Sequence, residues 1–169
     1  IYGIDISEEM LAEARKNSQA AGLNNTEFKI SDAGKIDFPD NFFDLVISFG
    51  VLHHLNDLKL AFAEIKRVLR PNSLAYIYDL KKESPEEVVR EIASSMNPDH
   101  KKAFLESVKE AVSSVDLEDI LKNLQVPQYS LSQPKYSRRT IIKNKELLRQ
   151  GLMMGERFNS ILLECFLRK

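Results

Sequence analysis

Over residues 1–80, short apolar runs alternate with helix-length amphipathic stripes, and this alternation restricts the architecture more than any other feature of the chain. Residues 1–6 are an apolar run broken near its end by Asp5. Ser7 then stands as a helix N-cap, with Glu8 and Glu9 well placed in the first turn. Met10, Leu11, Ala14 and Ala21 recur at helical spacing, and Gly22 supplies a left-handed closure. Residues 26–30 alternate as a short strand, and residues 43–49 read as a buried one. From Asp57 onward, Leu58, Ala61, Phe62, Ile65 and Leu69 form a helical stripe. Pro71 and Asn72 are expected to stop it before a strand at 74–78 that ends on Asp79. Strands separated by helices are joined by crossovers and pair in parallel, so the fold class is α/β.

The alternation then lapses. Ser84, Pro85 and Glu87 read as a capping box with proline at the first helical position, opening a helix striped by Val88, Val89, Ile92 and Met96. Asn97 and Pro98 repeat the start signal for a helix carrying Phe104, Leu105, Val108 and Val112. Leu117, Ile120, Leu121 and Leu124 mark a third helix, so residues 84–124 form a helical insertion. Two strand candidates, 129–132 and 161–167, suit an antiparallel closing pair. The segment between them has no assigned structure, and Met96, Met153 and Met154 read as core.

Composition narrows the class. With 43% hydrophobic and 29% charged residues, the 169-residue chain is an ordinary globular domain, and its longest apolar runs fall far short of the ~20 residues of a membrane span. The lone Cys165 cannot make an internal disulfide, which favours a reducing, cytoplasmic setting. Residues 135–169 carry nine Lys or Arg against Glu146, Glu156 and Glu164, but these charges are scattered among apolar residues, so a nucleic-acid partner is disfavoured.

Several residues stand where ligand chemistry is done in open α/β sheets. Asp5, ending the first strand, can accept from both hydroxyls of a ribose; it can equally cap the following helix. Asp32, between Ser31 and Ala33, could accept from an adenine amino group or be an ordinary turn aspartate. His53 and His54 follow the third strand. Adjacent residues on an extended segment point to opposite sides, and no further ligand completes a metal shell, so no metal site is expected. Either His could act as a general base near neutral pH, or simply pack at the strand end. Asp79 could touch an acceptor or be a solvated residue opening the Lys81-Lys82 turn.

Taken in order, Gly-Ile-Asp-Ile-Ser at 3–7, Asp-Ala at 32–33, and Phe-Pro-Asp-Asn-Phe-Phe-Asp-Leu-Val-Ile-Ser at 38–48 followed by Leu-His-His at 52–54 resemble the small-molecule class I S-adenosylmethionine-dependent methyltransferases, including the quinone-type C-methyltransferases. The resemblance is close over residues 1–80 and one of layout beyond. It implies a Rossmann-like three-layer sandwich with a mostly parallel sheet and an antiparallel C-terminal strand. It also implies that Asp5 binds the cofactor ribose, that Ile6 packs on the adenine, and that Asp32 and Ala33 flank it. Ser48, Phe49 and Gly50 then lie beside the methionine part. The cofactor is S-adenosyl-L-methionine and the partner a small-molecule methyl acceptor, over which the 84–124 insertion acts as a cap. The family's turn before the fifth strand corresponds to Arg67 through Ser73, with Asn72 and Ser73 in place of glycines; Asn tolerates the left-handed region.

The family's glycine-rich turn after its first strand has no counterpart here. The chain therefore reads as a single methyltransferase domain that is N-terminally incomplete, its first strand and helix lying outside these residues or supplied by a second copy in a homodimer. Without that strand, which lies centrally in the family's sheet, two fragments without shared ladder hydrogen bonds are expected, and the 169 residues alone are expected to fold poorly. Two rival functions are a methyltransferase-like module without catalysis and an NAD-dependent oxidoreductase, the latter distinguished by a full Gly-x-Gly-x-x-Gly fingerprint.

Overall fold

A computed structural model describes residues 1–132 and 162–169. Strand β1 (Tyr2–Asp5) leads into helix α1 (Glu8–Ala20), and β2 (Glu27–Ile30) returns parallel to β1 with Tyr2 opposite Glu27 and Asp5 opposite Ile30. The start and stop signals act as read. Ser7 Oγ accepts from Met10 N at 3.2 Å. At the far end Gly22 adopts φ 69°, while Gly22 N and Leu23 N donate back to Gln19 O and Ser18 O, both at 3.0 Å.

Strand β3 (Phe43–Phe49) is followed by a 3₁₀ turn (Leu52–His54) and α2 (Leu58–Val68), capped by Asp57 Oδ1 accepting from Leu60 N at 2.9 Å. The helix then ends sooner than its stripe suggests. Leu69 already begins β4 (Leu69–Leu80), so Pro71 and Asn72 do not stop a helix but lie within a strand. The register jumps from Phe43 opposite Leu69 to Leu45 opposite Leu74, and Asn72 takes φ 66° in the intervening irregularity. Asn relieves the bulge because its short polar side chain tolerates that region.

Helices α3 (Glu86–Ser94), α4 (Pro98–Lys109) and α5 (Ser114–Asn123) form the helical insertion. The capping box expected for α3 does not form. Ser84 Oγ donates to Lys81 O, and Pro85 occupies the N-cap, a residue without a side-chain acceptor. Asn97 does cap α4, its Oδ1 accepting from His100 N at 2.9 Å. Strands β5 (Gln128–Ser132) and β6 (Leu162–Arg168) make the antiparallel pair, with β6 also antiparallel to β4.

Two ladders result: a parallel pair β1-β2, and a mixed four-stranded sheet in the order β3-β4-β6-β5. No ladder hydrogen bond joins them among the described residues, as the sequence reading expected. The main core is built by Leu52, Phe62, Ile65, Val68, Leu69, Ala75, Ile77, Leu117, Leu121, Cys165 and Leu167, and Ile4 of β1 packs against it. A second cluster joins Tyr78 to Val89 and Ile92 of α3, with Phe104, Leu105 and Val108 of α4. The insertion thus divides, α5 being seated in the main core and α3 and α4 on the end of β4.

One expectation about burial fails. Residues 43–49 read as a buried strand, yet Leu45, Ile47 and Phe49 are 51%, 64% and 69% exposed. An apolar run records which faces tolerate burial, not which are covered; β3 is an edge strand here, and nothing among the described residues covers that face.

Candidate active site

β1 delivers Asp5, half-buried, to its carboxyl end. Ser7 N donates to Asp5 Oδ1 at 2.9 Å, so one carboxylate oxygen does the capping work. Oδ2 has no partner among the described residues and remains an acceptor at the edge where open α/β sheets bind ligands. Ile6 follows, 73% exposed. After β2, exposed Asp32 forms a turn: its Oδ1 accepts from Gly34 N at 2.7 Å and its main-chain oxygen from Lys35 N at 3.0 Å. Ala33 beside it is half-buried.

At the carboxyl end of β3, Ser48 is half-buried, the Phe49 ring stacks on Tyr78 at 4.6 Å, and Gly50 N donates to Tyr78 O at 2.8 Å. Gly50 adopts φ 65°, and a Cβ built on it would meet nothing within 4 Å. The glycine therefore meets a backbone requirement and leaves open space beside the chain.

The two histidines depart from the sequence reading. They occupy the 3₁₀ turn rather than an extended segment, and their ring centroids lie 4.0 Å apart instead of facing opposite sides. Among the described residues, no group of three His, Cys, Asp or Glu is placed to hold a metal ion.

Asp79 is not the solvated residue weighed as one of its readings. Its side chain is 1% exposed; it accepts from Leu52 N at Oδ2 and from Leu80 N at Oδ1, both at 2.7 Å, and its Oδ1 lies 2.5 Å from Nδ1 of the His53 ring. The His53 side chain is 7% exposed, and the residue as a whole is half-buried. The register explains the meeting: Ser48 lies opposite Ile77 and Phe49 opposite Tyr78, so both residues leave adjacent strands at the same edge. Sequence reasoning named His53 and Asp79 separately; the β3-β4 register, with Phe49 opposite Tyr78, is what brings them together. By contrast, none of the described hydrogen bonds links Asp5, Asp32 and Ser48 to one another.

Cys165 is no rival centre. Burial pushes its thiol up to about 12, far from the thiolate a nucleophile requires.

Residues 1–77 match the family described as a methyltransferase domain. An uncharacterized methyltransferase of Bacillus subtilis is 31% identical over 77 residues, covering 46% of this chain and 30% of the relative. The demethylmenaquinone methyltransferase of Geobacillus stearothermophilus is 37% identical over 75 residues, covering 44% of this chain and 32% of the relative. The chain thus matches about a third of the length of these curated relatives. A solved structure of a plantazolicin methyltransferase, in complex with a triazolic desmethyl analogue and SAH, has a TM-score of 0.70 at 19% identity, covering 100% of this chain and 67% of that one. Residues 1–77 thus match the methyltransferase domain family, and the chain shares the fold of solved S-adenosylmethionine-dependent methyltransferases.

Proposed function

We propose that the protein catalyses methyl transfer from S-adenosyl-L-methionine to a small-molecule acceptor. The observation that carries this is Asp5: a half-buried carboxylate at a strand end with one oxygen committed to the chain and the other unpartnered among the described residues. A ribose diol fits that acceptor. The exposed Ile6 and Phe49 suit the adenosine and the aliphatic part of the cofactor, and the open space at Gly50 lets a ligand approach the main chain. Asp32 and Ala33 flank the adenine, with Asp32 Oδ2 as the remaining acceptor. Ser48 and Gly50 lie beside the methionine moiety.

When bound, this cofactor supplies a methyl group already made electrophilic by its sulfonium. The chain's own residues then have to orient the acceptor in line and exclude water. Helices α3 and α4, clustered on Tyr78 at the end of β4, serve as the cap that selects the acceptor. No helix among the described residues is long and apolar enough to cross a membrane, and the lone, buried Cys165 agrees with a reducing cytoplasmic setting.

Calorimetric titration of the full protein with S-adenosylmethionine tests the reading. Binding with thermal stabilisation is expected, whereas neither at millimolar ligand would leave a methyltransferase-like module without catalysis. Asp5→Ala is expected to weaken binding by about 1–3 kcal/mol, roughly 5- to 150-fold, and an unchanged affinity would remove Asp5 from the site.

A further inference from the structure

We propose that His53 accepts a proton in the reaction, that Asp79 is its positioning residue, and that the methyl acceptor is a hydroxyl compound of phenol-like acidity. This rests on the methyl-transfer reading above. The buried polar residues described are Ser18, Ser31 and Asp79, of which Asp79 alone is an acid. Burying a carboxylate is costly unless donors compensate it, and two backbone N–H groups already do so. The third partner is the ring of His53, its side chain 7% exposed, at the sheet edge three residues beyond Gly50. A buried acid and a buried imidazole paired at a ligand-binding edge are a functional arrangement rather than an economical packing solution.

The pairing fixes the chemistry of the ring. An ionised carboxylate only accepts, so the shared proton then sits on His53 Nδ1, and in the neutral ring Nε2 keeps its lone pair. Nε2 has no partner among the described residues. Among the described residues, the titratable groups that bond to or stack on the ring are Asp79 and His54. A neutral imidazole whose Nε2 is unprotonated is suited to drawing a proton from a phenolic hydroxyl as that oxygen becomes a nucleophile. An acceptor that is already an anion, such as a carboxylate, has no use for it.

In the step, the hydroxyl oxygen bonds to the methyl carbon, and the carbon–sulfur bond breaks with its electron pair going to sulfur. The hydroxyl proton passes to Nε2. The products are a methyl ether, a neutral thioether and an imidazolium paired with the Asp79 carboxylate, so charge is conserved.

Two measurements on the full chain test this without relying on turnover. In protein labelled with 15N-histidine, ring nitrogen shifts report the tautomer. His53, assigned by His53→Gln, is expected as the Nδ1–H form, and Asp79→Asn is expected to abolish that preference; an Nε2–H ring in the wild type would overturn the proposal. The second measurement uses 4-nitrophenol with S-adenosylhomocysteine bound, at a pH just below the probe's own ionisation in water, where a free imidazole is mostly neutral. Transfer of its proton to His53 produces yellow phenolate beyond that of the free probe. His53→Gln is expected to cut that absorbance about tenfold or more while leaving S-adenosylhomocysteine affinity within about twofold. A missing phenolate band in the wild type, or an undiminished one in His53→Gln, sinks the assignment. If Asp79→Asn fails to fold, these wild-type and His53→Gln readouts decide the matter. Failure to bind S-adenosylhomocysteine counts instead against the methyl-transfer reading and leaves the tautomer measurement standing.

Discussion

Arg67 uses all five of its guanidinium donors. Nε and one Nη2 hydrogen go to Glu64, the other Nη2 hydrogen to Ile36 O, and Nη1 to Phe38 O and Asp40 Oδ1, every bond between 2.7 and 2.8 Å. Glu64 Oε2 also accepts from Ile36 N at 2.8 Å, so the pair fastens residues 36–40 onto α2. The Arg67 guanidinium holds the Glu64 carboxyl below the usual carboxylate range, outweighing the opposing effect of burial. The unfolded chain, titrating near 4.3, therefore binds the proton more readily than the folded one. The resulting stabilisation is complete above that pH and is lost as pH falls through the lower folded value. Glu64→Gln is expected to cost about 1–3 kcal/mol in urea unfolding at pH 7, and much less at pH 3. Of this, only the Glu64–Arg67 pair, at i,i+3 on one helix, was legible in the sequence, because Ile36, Phe38 and Asp40 lie 27–31 residues upstream of Arg67. His53 and Asp79 were each visible as a residue type at a strand end but are joined only by register. Asp5 was legible, since its place needs only the strand and the cap beside it.

Elements differ in how firmly their sequences specify them. The N-caps at Ser7, Asp57 and Asn97 and the Gly22 closure act within a few residues, so they were readable before any packing was known. The end of α2 was not: Leu69 continues the helical stripe, but β3 claims its backbone, and tertiary pairing overrides local periodicity. The Ser84 box failed for a related reason, its hydroxyl finding Lys81 O first. Similar stripes in α4 and α5 also conceal unequal burial. Leu117 is 0% exposed in the main core, whereas α4 has no buried residue. Leu117→Ala is accordingly expected to cost about 2–5 kcal/mol, and Leu105→Ala in α4 clearly less, when both are followed by denaturant unfolding. Equal losses would contradict the division of the insertion into a seated α5 and a superficial α3-α4 pair.

Across the whole molecule, the two ladders meet through side chains. Tyr2 lies 5.0, 5.8 and 5.9 Å from the rings of Phe38, Phe42 and Phe43, and Ile4 reaches the main core. Aromatic pairs of this kind contribute about 0.5–1.5 kcal/mol each beyond their burial, so Tyr2→Ala is expected to loosen residues 2–30 selectively. Amide exchange in β1, α1 and β2 is expected to accelerate while β4 stays protected; uniform acceleration would mean that the two ladders open together. A row of main-chain hydrogen bonds resists sliding, but a cluster of rings does not, so the seam between the ladders is mechanically soft. A cofactor gripped by Asp5 on one side and by the turn at Gly50 on the other would act as a splice across it. Heating the free protein is then expected to give two melting steps, the β1-β2 half first, and ligand is expected to merge them into one.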